Sequence, residues 1–227
     1  MIKKFILKTK VSHFKRYLEL NNMRHNVAVI GCGQLGRRHI QGLGLSKSKI
    51  NVHIYDIDKT SISECESFLN NISETLNNLE CYFYDSIQTL GKAVFLYDFV
   101  IISTTAANRP AQINNFFSLI NSQAWLLEKP ICQSPHELTQ MIKLTKDKKI
   151  WINHIRRILP WYRKIKTKYF HGQKISIIFS SKNIGIGCNI SHLIDLVNFF
   201  TDEIPISTNT SGLLNEWHDS KRKGFRE

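Results

Sequence analysis

The run Val27-Ala-Val-Ile-Gly-Cys-Gly-Gln-Leu-Gly36, with Asp56 closing the next apolar run, limits what this chain can fold into more than any other feature. Four apolar residues lead straight into Gly31, Gly33 and Gly36, the pattern of a buried parallel strand that turns sharply into a helix. Each glycine has its own task. Gly31 permits the tight turn, Gly33 leaves the backbone bare for a pyrophosphate, and Gly36 lets the helix lie close to the strand. Phosphates then meet the helix N-terminus, where amide N–H groups and the macrodipole favour negative charge. Ile50 to Asp58 reads as an alternating strand with an acidic end, and Asp56 stands 20 positions beyond Gly36, where an adenosine ribose needs an acceptor for its hydroxyls. A carboxylate there favours NAD and repels the 2′-phosphate of NADP. The alternative is a glycine turn and an acidic strand end in another α/β protein, methyltransferases included.

With 227 residues and 42% hydrophobic content, the chain can bury a core as one large domain or two small ones. No apolar run approaches a membrane span and the N-terminus lacks the pattern of a signal peptide, so no membrane partner and a cytoplasmic location are expected. Cys32, Cys65, Cys81, Cys132 and Cys188 contain no C-x-x-C pair and read as small hydrophobes rather than disulfides or zinc ligands; no metal is expected. The net charge of +13 raises the question of nucleic acid. Its clusters, in the first 16 residues, at Arg156 to Lys168 and at Lys221 to Arg226, come with no nucleic-acid motif and no regular aromatic interleaving. A lysine-rich solvated surface is therefore expected, and no nucleic-acid partner.

Three segments follow from the patterning. Residues 1–22 form a basic N-terminal extension, with Ile2, Phe5, Ile6, Phe14 and Leu18 at rough helical spacing; a chain beginning at Met23 would lose nothing that a nucleotide fold needs. Residues 23–150 alternate strand and helix, the signature of a doubly wound parallel sheet. Helices are expected from about Leu35 to Gly44, over Ser61 to Asn77, Ser86 to Leu90, from Arg109-Pro110 to about Asn121, and from Pro135 to Lys146. Strands are expected over Cys81 to Tyr84, Phe99 to Thr105, Ala124 to Leu127 and Ile150 to Asn153. In residues 151–227, Leu159 to Tyr169 and Ile190 to Phe200 read as helices and Lys174 to Ser181 as a strand of a second sheet. One or two strands do not make a stable sheet alone.

Five stretches together resemble the Gfo/Idh/MocA family of NAD(P)-dependent sugar oxidoreductases: Val27 to His39, Phe99 to Thr105, Glu128-Lys-Pro130, Asn153 to Pro160 and Gly187 to Asp195. The resemblance covers the chain from about Val27 to its C-terminus. It implies a Rossmann domain followed by a partial α+β domain with an incomplete antiparallel sheet, an NAD cofactor, and a small sugar-type substrate, acidic or nucleotide-linked. It assigns Lys129 to catalysis, orienting a sugar hydroxyl and stabilising the developing oxyanion; the alternative is a surface lysine before a proline turn. It gives His192 a share in proton transfer, set against a helix histidine bonded to backbone or to Asp195.

Many family members carry an aspartate four residues before that histidine. This chain has Cys188 there, which removes a partner that would orient the imidazole. The resemblance places Gln34 and Leu35 in the glycine loop, Thr104 and Thr105 at cofactor phosphate and ribose, and Glu128 near the nicotinamide ribose. Arg157 and Tyr162 fall at substrate-side positions, the guanidinium suited to a carboxylate or phosphate; capping or solvating a helix serves Arg156 and Arg157 equally well. The sequence stops at Glu227, where family members continue through most of the second sheet. Two readings follow: a sugar oxidoreductase, forming a homo-oligomer if that sheet is completed, or a truncated, catalytically silent nucleotide-binding remnant.

Overall fold

Each apolar run between residues 23 and 152 becomes a strand of one sheet. The computed structural model describes residues 23–170 and, beyond them, 172, 174, 176–180, 185–204, 206–207, 209–212, 216, 218 and 219. The expected extension over 1–22 and the basic cluster at 221–226 lie outside the described residues. β1 (His25–Ile30) sits between β2 (Ile50–Tyr55) and β4 (Phe99–Ile102), with Ala28 opposite His53 on one side and Val100 on the other. β3 (Leu79–Tyr84) pairs with β2, β5 (Trp125–Leu127) with β4, and β6 (Ile150–Ile152) with β5. All pairs are parallel and the order is β3-β2-β1-β4-β5-β6, a doubly wound Rossmann-type sheet.

Alternation along β1 divides the core. Val27 and Val29 pack on one face with Ile40, Val52, Ile54, Cys65 and Ile101; Ala28 and Ile30 pack on the other with Leu90, Tyr97, Val100, Ile113 and Trp125. Five helices link the strands: α1 (Gln34–Gly44), α2 (Lys59–Asn71), α3 (Ile87–Ala93), α4 (Arg109–Leu119) and α5 (Pro135–Thr145). Helix α2 begins two residues earlier than its apolar spacing predicts. The Asp58 side chain caps it, accepting from the Thr60 and Ser61 amides at 3.0 and 3.2 Å. It also ends at Asn71 rather than Asn77, where the Ile72 amide returns to Leu69 and a 3₁₀ turn, Ser73–Thr75, follows. Strand β4 stops at Ile102, so Thr104 and Thr105 lie in the turn beyond it rather than in the strand.

A buried histidine makes the sheet acid-sensitive. His53 of β2 is 6% exposed; its ring pairs Nδ1 with the Tyr84 hydroxyl at 2.8 Å and stacks on Tyr82. Burial pushes its pKa down to about 4. The unfolded chain therefore takes up the proton first: stability is complete above the ordinary histidine pKa near 6.5 and is lost as pH falls to about 4. The loss is about 3 kcal/mol. Denaturant melts at a series of pH values should show that slope in the native chain and a flatter one in His53→Phe; equal slopes would remove the assignment.

By internal packing the chain divides into two compact units, one ending at Ile152 and one starting at Asn153. In the second, a 3₁₀ turn (Ile155–Ile158) precedes α6 (Pro160–Tyr169), and α7 (Ile186–Thr201) follows. Phe170 stacks on Phe200 at 4.6 Å, Leu196 is fully buried, and Lys166 pairs with Asp202 at 2.5 Å. Helix α7 starts at Ile186, a turn ahead of the expected Ile190, with Gly185 at φ 57 as its N-cap. The expected strand over Lys174 to Ser181 is corrected: its described residues, Lys174 and 176–180, carry no sheet pairing, and Ile178 is 87% exposed. The apolar alternation there favours extended backbone, but a strand exists only through a ladder to a neighbour, and the described residues offer none.

Candidate functional site

The order of the sheet reverses between β1 and β4, and the loops leaving these two strands meet at their carboxyl ends. Gly31 follows β1 with φ 92, and a Cβ there would lie 2.8 Å from the Thr104 amide nitrogen. Neither the dihedral nor the space admits another residue. At Gly36 a Cβ would stand 2.0 Å from the Gly31 carbonyl oxygen, so the first turn of α1 is pressed against the loop it springs from. Ser103 adds a clasp from β4, its hydroxyl donating to the Gly31 carbonyl at 2.5 Å. Gly33 is the opposite case. It caps α1 with no side chain, and an added Cβ would meet nothing within 4 Å.

This arrangement leaves a helix N-terminus with an open approach. Helix α1 has no side-chain cap and no acidic residue in its first turn, so its leading amides face that approach without a competing carboxylate. Gln34 and Leu35 occupy its first two positions and are exposed. The acid expected at the end of β2 stands beside the loop: Asp56 accepts from the Cys32 amide at 2.8 Å and from the Asp58 amide at 3.0 Å. Each carboxylate oxygen still has a lone pair for a further donor. Asp58 is occupied by its cap. The Cys32 thiol is buried against that of Cys65; the hydrogen bond between them, then burial, raises the pKa of Cys32, while the same bond lowers that of Cys65.

The other candidates have been given definite neighbours. Thr104 is half-buried, its hydroxyl donating to Gln112 at 2.7 Å, and Thr105 is exposed. Glu128 follows β5, is 5% exposed, and pairs with Nε2 of His39 from α1 at 2.7 Å. Lys129 is half-buried and precedes Pro130 through a cis peptide. In the second unit, His192 lies on α7 with its ring 5.4 Å from that of His154, edge to face. The side chain of Cys188, one turn earlier on the same helix, lies outside the described residues. The Arg157 fork grips Asp195 and also donates to Asn198, so the carboxylate expected from a substrate is supplied here from within the chain. Tyr162 stacks on Trp161 at 3.5 Å.

Three contributors escaped sequence reasoning. Ser103 reads only as the hydroxyl end of a strand, His39 as part of a helix, and Arg109 as the residue before the proline that opens one. Arg109 is 1% exposed and donates from Nη2 to the Thr104 carbonyl at 3.0 Å. Nothing in one sequence announces that burial.

The model of the Gfo/Idh/MocA oxidoreductase family, described as an NAD-binding Rossmann fold, matches residues 25–154. The chain belongs to this family. Solved structures with the same fold include UDP-N-acetylglucosamine 3-dehydrogenase GnnA from Acidithiobacillus ferrooxidans, 21% identical, with a TM-score of 0.59 over 82% of this chain and 59% of that one. Others are a putative myo-inositol dehydrogenase from Sinorhizobium meliloti 1021, 17% identical, TM-score 0.55, covering 80% and 56%, and a putative NADPH-dependent oxidoreductase from Desulfitobacterium hafniense, 18% identical, TM-score 0.56, covering 78% and 55%. The chain thus spans less than two thirds of the length of these structures. No curated protein matches the sequence significantly. No helix among the described residues is long and apolar enough to cross a membrane, and no group of three or more potential metal ligands occurs among them.

Proposed function

We propose that this family member binds a nicotinamide dinucleotide at the β1–β4 crevice and transfers hydride between it and a sugar or sugar derivative. The observation that carries the reading is the glycine loop: bare where a phosphate must approach, filled to contact everywhere else. Residues that would hold the dinucleotide are Gly31, Gly33, Gln34, Leu35 and Gly36 through the loop, Asp56 at the adenosine ribose, and Thr104 and Thr105 at the turn after β4. Glu128, buried on His39, supports that crevice from the end of β5. When bound, the nicotinamide supplies the carbon that gives or takes hydride. Lys129 orients the reacting hydroxyl and stabilises charge on its oxygen, and His192 carries the proton. Sugar and inositol dehydrogenases among the structures of the same fold fit a polyhydroxylated substrate.

Asp56 favours NAD over NADP, because a second phosphate on the ribose would face a carboxylate held in place by two amides. Titration calorimetry should give NADH at least about tenfold tighter binding than NADPH, with the gap closing in Asp56→Asn, which keeps the side-chain shape and removes the charge. Equal affinities in the native chain would refute the preference. The whole reading is tested by calorimetry with both dinucleotides followed by a panel of free, acidic and nucleotide-linked sugars; absence of heat with a folded chain rejects it.

A second reading, nucleotide binding without turnover, is favoured by one observation: Cys188 stands where many relatives have the acid beside the histidine. It predicts normal NADH binding and no reaction with any sugar of the panel.

A further inference from the structure

The turn that leaves β4 is fastened to α4 by hydrogen bonds whose direction is fixed at one end. The Ala107 carbonyl can only accept, and the Gln112 side chain meets it at 2.7 Å, so the group turned toward it is the amide nitrogen. The amide oxygen of Gln112 then faces the Thr104 hydroxyl, also at 2.7 Å, and that oxygen has no proton to give. Thr104 must donate. Its one hydroxyl proton is committed to α4, and what the oxygen keeps for a further partner is a lone pair. The Thr104 carbonyl is engaged as well, by Nη2 of the buried Arg109 at 3.0 Å. Thr105, one position on, is exposed, and its hydroxyl has no partner among the described residues.

The place of Thr104 follows from the sheet, in which β1 lies between β2 and β4. Asp56 follows β2, the bare loop at Gly33 follows β1, and Thr104 follows β4, where a Cβ on Gly31 would stand 2.8 Å from its amide nitrogen and 3.1 Å from its methyl carbon. A dinucleotide with its adenosine ribose at Asp56 and its pyrophosphate on the loop carries its second ribose, that of the nicotinamide, toward β4. Ribose hydroxyls donate, whereas pyrophosphate oxygens only accept. Resting on the dinucleotide reading above, we infer that Gln112 is a positioning residue that makes Thr104 an acceptor for a hydroxyl of the nicotinamide ribose and not a donor to phosphate. A hydroxyl free to rotate offers its proton to any anion nearby. Tied to Gln112, it meets a phosphate oxygen with lone pairs on both sides, and the two repel. Thr105 keeps a proton to give. The two threonines, equivalent as neighbours along the chain, thus take opposite hydrogen-bonding roles.

The test is titration calorimetry of the full chain with NADH and with two analogues, lacking the 2′- or the 3′-hydroxyl of the nicotinamide ribose. Loss of the hydroxyl that Thr104 accepts should weaken binding to the native chain about three- to tenfold. Thr104→Val, nearly the same in shape, should cost NADH that factor and cost the matching analogue nothing further. Thr104→Ser keeps the hydroxyl and should bind NADH within about twofold of the native chain. Gln112→Met should weaken NADH binding about threefold in the native background and not at all in the Thr104→Val background, because Gln112 acts through that hydroxyl. Equal losses in the two backgrounds mark a packing role and overturn the inference. So does a Thr104→Val loss that is the same for NADH and both analogues, the mark of a phosphate contact. Should Thr104→Val not fold, the analogues decide: a ribose hydroxyl that matters in the native chain and matters less in Gln112→Met supports the inference, and equal dependence in the two overturns it. No heat from NADH with the folded native chain rejects the dinucleotide reading and this inference with it. NADH binding indifferent to both ribose hydroxyls rejects this inference and leaves the dinucleotide reading standing.

Discussion

Gly33→Ala and Gly36→Ala, three residues apart in one loop, are expected to fail in different ways. At Gly36 the new methyl group would lie 2.0 Å from the Gly31 carbonyl oxygen, a backbone atom that cannot swing aside. Helix α1 must move off the loop, at a cost on the order of 2–4 kcal/mol, and dinucleotide binding should go with it. At Gly33 the methyl meets nothing within 4 Å, and the backbone, at φ −61 and ψ −164, already suits alanine. That variant should be as stable as the native chain or better by about 0.4–1 kcal/mol, since alanine loses less chain entropy on folding. Its methyl nevertheless projects into the approach to the α1 amides, and NADH affinity should fall by at least about tenfold. Thermal melts and calorimetry on both variants separate the effects. If Gly33→Ala binds NADH as the native chain does, the phosphate does not sit on this loop.

The second large effect is expected at Lys129. With a sugar of the panel that supports turnover, Lys129→Ala should reduce kcat about 10²- to 10⁴-fold while leaving the Kd for NADH within about threefold, because in the proposed role the lysine acts on the reacting oxygen and not on the dinucleotide. His192→Ala should reduce kcat less than Lys129→Ala does and change its pH profile, since in the proposed role it removes the group that carries the proton. A purified chain that binds NADH, turns over a sugar, and keeps its kcat in Lys129→Ala excludes the lysine from the chemistry. Stopped-flow absorbance of the reduced nicotinamide reads both variants directly.

The strand segments, the glycine loop and its acid were all legible along the chain, because each is written in local chemistry. An apolar run of strand length, a glycine at a left-handed turn and a carboxylate at a strand end need only near neighbours to state their purpose. Helix boundaries were less legible. Asp58 reads along the chain as a second acid of the strand end, and only its bonds to the Thr60 and Ser61 amides reveal a cap. Arg157 shows the same limit more sharply: the resemblance left it between a substrate anion and the capping of a helix, whereas the fold supplies Asp195, 38 positions away, to its fork.

The amino-acid order was enough to specify the alternating strands and helices and the glycine loop after the first strand, since period, turn chemistry and spacing act over a few residues. Which charges are spent inside emerges only in the folded chain. Arg109 and Glu128 are charged residues whose burial no local pattern announces, because burial depends on what the fold brings on top of a side chain, and His39 is separated from Glu128 by 89 positions. Lys174 and residues 176–180 mark the same boundary: such residues favour a strand, but a ladder is a property of two chain segments and cannot be written in one.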